Sequence, residues 1–342
     1  MKLSTTLFIL LVTTITGATS ATVPLAPTRP RDASQFRLLH TLTPSPPSHS
    51  RFLTAAAPAA ADDSTTETTK GGAVLTLPAS DTSAISSVQA TFRVPSAVPP
   101  ATGPTAGNPV GLYAASFWVG IDSVGPFSFS CPGSGGGSGG GGASRRALRA
   151  GVDIFYDGTL GGEQSPFAWY QFAAASGSSG SDPGSGQGGT TTGLEGFGII
   201  PGDLVRFTLS AGSGDAAGES VVVVLAENFG ANVSCAEGAT PVTSVRQVLP
   251  VGEGGPALCG REAAWMVEDF PLAGLPDFPI ALANFTSVTF GSAGVTLEDG
   301  SKRDVTGAEV MDVRLEAQGG RLTSCEVLDG KKVKCTRVLD DN

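Results

Sequence analysis

Along most of this chain hydrophobic residues come in short runs that alternate with polar ones at a period of two, punctuated by Gly, Pro and Asp. Runs of this kind cover 73–77, 87–94, 114–121, 147–156, 167–174, 204–210, 220–226, 242–249, 263–270, 280–290, 309–316 and 331–339. Rich in Val, Phe, Thr and aromatics, they predict strands with one buried face. No stretch carries the period of an amphipathic helix. Many short strands with turn residues between them predict an all-β chain, folded as a sandwich of two large antiparallel sheets packed face to face. Two stretches break the rhythm, 133–142 and 176–189, both nearly pure Gly and Ser, and these are predicted loop insertions. Neither has the Lys-Ser/Thr ending and following helix that a phosphate-cradling loop requires.

The N-terminus reads differently. Lys2, the apolar run from Leu7 to Val12 and the small residues Gly17, Ala18, Ser20 and Ala21 form the three regions of a secretory signal, 1–21, with cleavage near Ala21. The apolar run is shorter than the ~20 residues that span a bilayer, so no membrane association is expected. From 22 to 69 the chain is rich in Pro, Ser and Thr, with Arg29, Arg31, Arg37 and Arg51 scattered through it and no apolar periodicity. This composition predicts a largely disordered propeptide, and it fits an inert linker equally well. The folded body is then 70–342, exported and secreted. In an oxidising compartment its cysteines, Cys131, Cys235, Cys259, Cys325 and Cys335, should pair, leaving one over. Cys325 and Cys335 flank Asp329-Gly330, a hairpin turn between two alternating runs, which makes their pairing geometrically easy. Asn232-Val233-Ser234 and Asn284-Phe285-Thr286 are glycosylation sequons.

Composition narrows the chemistry. The chain holds 47 Gly, is 15% charged and carries a net charge of -10, with 16 Lys+Arg against 27 Asp+Glu from Lys70 onward. An acidic chain without a basic stripe argues against nucleic acid as partner. Its two histidines, His40 and His49, both lie in the leader. Once that leader is removed, no Ser-His-Asp triad, Cys-His pair or imidazole-ligated zinc is available. Carboxylate, amide, hydroxyl and guanidinium groups remain, and neither a metal nor a cofactor is expected. In the run 263–270 a strand period places Ala264, Met266 and Glu268 on one face and Trp265, Val267 and Asp269 on the other. A carboxylate sharing a face with Met and Ala suits general acid/base work; a solvated edge-strand carboxylate is the commoner outcome of such a pattern.

Several motifs in order carry a resemblance. They are Ser87-Val88-Gln89-Ala90-Thr91-Phe92-Arg93-Val94-Pro95, Phe117-Trp118-Val119-Gly120-Ile121-Asp122, Ala150 to Gly158, Ala168-Trp169-Tyr170-Gln171-Phe172, Pro201-Gly202-Asp203, Glu227-Asn228, and Ala264-Trp265-Met266-Val267-Glu268-Asp269-Phe270. From about Lys70 to the C-terminus the chain resembles the eqolisins, secreted glutamic peptidases. The resemblance implies two seven-stranded antiparallel sheets in a concanavalin-like jelly roll. It also implies a monomeric, acid-active, pepstatin-insensitive endopeptidase made as a zymogen, with protein or peptide as substrate. Its catalytic dyad is one Glu and one Gln. The Glu position falls on Glu268, which in the family activates water and then protonates the leaving amine, while the Gln amide stabilises the oxyanion. Trp118, Trp169, Asp122 and Asp153 match the family's groove, and its disulfide maps onto Cys131 and Cys259.

The departures from the family are specific. Where the family reads Leu-Gln-Thr-Gly, this chain reads Leu148-Arg149-Ala150-Gly151, so Arg149 stands at the catalytic glutamine position. Lys70 replaces a groove aromatic, Gln171 a groove glutamate and Phe167 an aspartate. Arg149 has three readings: an ion pair that ties up Glu268, a substitute oxyanion donor, or a surface residue on a rerouted path. The functional expectation is a secreted acid glutamic endopeptidase, with two alternatives. One is an inactive peptide binder that keeps the groove, the other a carbohydrate-binding sandwich using exposed Trp.

Overall fold

The strand period seen in the sequence is realised as two stacked sheets. The computed structural model describes residues 67–100, 103, 111–124, 145–160, 162–175, 191–213, 220–234, 236–251, 258–269 and 280–339. In chain order the strands are β1 (Lys70–Thr76), β2 (Ile85–Arg93), β3 (Leu112–Ile121), β4 (Arg145–Asp157), β5 (Gly162–Glu163), β6 (Phe167–Ala175), β7 (Thr192–Gly193), β8 (Leu204–Ser213), β9 (Ser220–Gly230) and β10 (Thr243–Pro250). They continue as β11 (Glu262–Glu268), β12 (Ala281–Leu282), β13 (Ser287–Leu297), β14 (Lys302–Asp304), β15 (Glu309–Met311), β16 (Arg314–Leu315), β17 (Gly320–Arg321), β18 (Thr323–Leu328) and β19 (Lys332–Arg337). A single 3-10 turn, Glu316–Gln318, is the helical element among the described residues. All of them belong to one unit of the chain, Thr54–Asn342.

The first sheet runs β15-β1-β11-β3-β4-β6-β7 and the second β10-β9-β8-β2-β13-β19-β18, with short strands β12, β5 and β14 added at the flanks. Each path has seven strands, and these long pairings are antiparallel. The core lies between the sheets. Phe92 of β2 stacks on Phe207 of β8 with centroids 5.9 Å apart, meets Phe290 of β13 edge-on at 5.2 Å, and reaches across to Phe117 of β3 at 6.5 Å. Trp265 of β11 is fully buried yet satisfied, because its indole N–H donates across the sandwich to the Gln89 carbonyl at 2.9 Å.

At the β18–β19 hairpin, Asp329 and Gly330 both take positive φ, 53° and 62°, as a tight two-residue turn demands. That turn sets Cys325 opposite Cys335, and the two are disulfide-bonded. Two predicted runs divide. The run 280–290 breaks at Ala283–Thr286 into β12, which pairs with β3 in the first sheet, and β13, which joins the second. The run 309–316 splits into β15, paired with β1, and β16, paired with β17, because its two halves find different partners. The signal, nearly all of the 22–69 segment, both Gly/Ser insertions, Cys131 and Cys235 lie outside the described residues. Among the described residues no helix is long and apolar enough to cross a membrane.

Candidate active site on the outer face of the first sheet

Strand register places the candidate residues in three parallel rows on the face of the first sheet that points away from the core. The first row runs Lys70, Glu268, Ser116, Asp153, Phe167 across β1, β11, β3, β4 and β6. Beside it runs Gly72, Met266, Trp118, Gly151, Trp169, and then Val74, Ala264, Gly120, Arg149, Gln171. The period-two alternation that puts Ala264, Met266 and Glu268 on one face of β11 therefore extends across five strands. Trp118, Trp169, Met266, Ala264 and Val74 form a small apolar cluster of their own, separate from the main core.

Gly151 makes room for the indoles. A Cβ there would fall 2.1 Å from the Phe117 carbonyl oxygen and 2.6 Å from Trp118 Cβ. Each indole then serves a carboxyl group in the first row. Trp118 Nε1 donates to Glu268 Oε2 at 2.7 Å, and Trp169 Nε1 donates to Asp153 Oδ1 at 2.6 Å. Trp118 is 0% exposed and Trp169 5%, so neither offers a free ring face for stacking on a sugar, as the carbohydrate reading requires.

Arg149 lies in the third row and reaches over Trp118 to the first. Its Cζ sits 5.2 Å from the Trp118 ring centroid, its NH1 donates to Glu268 Oε2 at 3.3 Å, and its NH2 donates to Gln171 Oε1. The residue is buried, which excludes the surface reading. Glu268 thus receives a guanidinium and an indole on one oxygen, while Oε1 has no donor among the described residues. Asp153, half-buried beyond Ser116, has its pKa pushed up to about 7 chiefly by desolvation, with the Glu268 charge adding to the rise and the Trp169 hydrogen bond opposing it.

Asp122 plays a different part from the others. It sits at the end of β3 with φ 52° and accepts the backbone N–H groups of Gly260, Arg261 and Glu262, so it ties the β3 end to the segment entering β11. Cys259 in that segment is buried and disulfide-bonded. Asn232 is exposed in the turn after β9, and Asn284 is half-buried with its Oδ1 accepting the Thr286 N–H.

One supporting residue had no sequence signal. Gln318, in the 3-10 turn, donates from Nε2 to Asp269 Oδ2 at 2.7 Å and accepts the Leu282 N–H at 2.9 Å, anchoring the end of the strand that carries Glu268. Burial pushes the Asp269 pKa up to about 7. Among the described residues no cluster of His, Cys, Asp and Glu is arranged to hold a metal ion. A polar cleft of about 450 Å³ lies elsewhere, between Pro78 and the 302–307 segment, and contains none of the residues above.

A family model described as the Peptidase A4 family matches residues 68–337, which spans all three rows. No curated protein matches the chain.

Proposed function

Because the chain belongs to the Peptidase A4 family, the eqolisins, we propose that the three-row groove binds protein or peptide substrate and that Glu268 is its catalytic base, held in check by Arg149. The supporting observation is the contact between the two: a buried guanidinium on the oxygen of Glu268 that the Trp118 indole also holds. In the forward reaction Glu268 takes a proton from water as the water oxygen bonds to the scissile carbonyl carbon. The proton then passes to the amide nitrogen as the C–N bond breaks. The developing oxyanion needs a donor that strengthens its contact in the transition state. Arg149 commits its NH1 and NH2 to Glu268 and Gln171 before substrate arrives, so it adds little at that moment. The protein is a peptide binder of low intrinsic turnover, exported and working in acid, with its N-terminal leader removed.

Arg149→Gln tests this reading. It removes the ion pair and returns a neutral donor, and the gain from one oxyanion donor is ~100- to 1000-fold in turnover. Acid proteolysis of a denatured protein should rise by that order in Arg149→Gln and vanish in the double variant Arg149→Gln/Glu268→Gln, with pepstatin without effect. A wild type that is already fast, and slower as Arg149→Gln, would show that Arg149 is itself the oxyanion donor.

A further inference from the structure

Among the described residues, charge accounting on this face leaves Lys70 without a counter-charge. Arg149 pairs with Glu268, and Asp153 carries its proton through the acidic range because burial holds its pKa near 7. Lys70 sits in the first row, directly across from Glu268, half-buried, with Nζ 5.9 Å from the Trp118 ring centroid. No carboxylate among the described residues lies within salt-bridge distance of that amine. The other acidic groups nearby face elsewhere. Glu309 of β15 stands beside Val74, four residues along β1 from Lys70 and so ~13 Å away. Glu67 accepts the Glu316 N–H, and Asp269 is held by Gln318.

From this arrangement we propose that Lys70, seated on the edge of the Trp118 platform, is a specificity determinant that selects an acidic side chain of the bound peptide next to Glu268. The inference rests on the peptide-groove reading above and narrows it to acidic peptides. An ammonium in water gains little from a single exposed ion pair, but its stem and the indole beneath it shield one side, and the ligand excludes water from the other. Lys70 is fixed at the backbone by the Thr68 hydroxyl, which accepts its N–H at 3.2 Å, and by β1–β11 pairing on the other edge. The position of the charge is therefore set by the sheet rather than by a loop. Glu309 and the chain's net acidity oppose binding of anions at large, which confines the attraction to the Lys70 corner.

Capped alanine-rich octapeptides carrying one Glu, stepped through the central positions, and their Gln twins are the probes. Affinity is read calorimetrically on the intact, leader-free protein at pH 5.5, where the peptide Glu is ionised, and mass spectrometry records any cleavage. At one position the Glu peptide should bind about three- to tenfold tighter than its twin. That preference should disappear in Lys70→Met, persist in Lys70→Arg, and collapse at pH 3 as the peptide carboxyl gains its proton. Equal affinity for every Glu/Gln pair, or a preference that survives Lys70→Met while thermal melting shows the variant folded, overturns the proposal. A Glu preference with an inert Arg149→Gln variant leaves the subsite standing and removes the peptidase reading. Active Arg149→Gln with no preference does the reverse.

Discussion

Raising the pH from 4 to 7.5 should destabilise this protein, because two carboxyl groups sit where their charged forms are poorly solvated. Asp153 and Asp269 ordinarily titrate near 3.8, and in the folded state burial pushes each up to about 7. A folded pKa above the unfolded one means that the stabilisation is fully present below the unfolded value, falls as pH rises past it, and is lost by the time pH passes the folded value. A gap of about three units corresponds to about 4 kcal/mol per group when the loss is complete. Two such groups rival the ~5–15 kcal/mol that keeps a domain folded, so even partial relief by local opening leaves a large slope. The raised pKa of Asp122, whose largest cause is burial, acts in the same direction. The exposed Asp299 and Asp304 are shifted downward by hydrogen bonds from Ser301 and Thr306, so their contribution is lost only at pH below the ordinary carboxylate range. Urea melts followed by circular dichroism at pH 3.5, 5.5 and 7.5 should give midpoints that fall steadily. In Asp153→Asn and Asp269→Asn the retained amide oxygen can still accept from Trp169 or Gln318, and the group no longer titrates. Each variant should match the wild type near pH 3.5 and exceed it by up to about 4 kcal/mol at pH 7.5. A midpoint that is flat between pH 4 and 7.5, or a double Asn variant with the wild-type slope, would refute the reasoning.

Two further outcomes follow from packing and chain topology. Replacing Cys325 and Cys335 by Ser opens a bridge with a sequence separation of 10, which should cost about 2.5 kcal/mol of unfolding free energy in the same urea assay without moving the groove. Gly151→Ala should cost more than ~2 kcal/mol and blur both indole hydrogen bonds, since the added methyl would meet backbone at 2.1 Å; tryptophan fluorescence and the melt would report it. The Arg149→Gln assay and the Lys70 peptide series complete the set.

Much of the architecture was legible in the chain itself. Strand alternation has a period of two whatever the partner strand is, so the shared face of Ala264, Met266 and Glu268 follows from β11 alone, and five strands keep the same phase. The Asp329-Gly330 turn is equally local, since it needs only two residues able to adopt positive φ. Ordered motifs sufficed to place the chain in its family, and the family model covers the same region. What the chain could not state was which partners meet. The halves of the 309–316 run share one apolar pattern and yet join different strands, because edge pairing depends on what β1 and β17 leave open. Gln318 lies 49 residues from Asp269, and nothing in its neighbourhood marks it as a carboxyl anchor. Arg149 is the sharpest case. The sequence left three fates for it, and the choice came from register across three strands, which carries the guanidinium over Trp118 to a carboxylate 119 residues away. Local pattern determines which way a side chain points; only the closed sheet decides what it finds there, because that distance is a sum over pairings that no short stretch of chain contains.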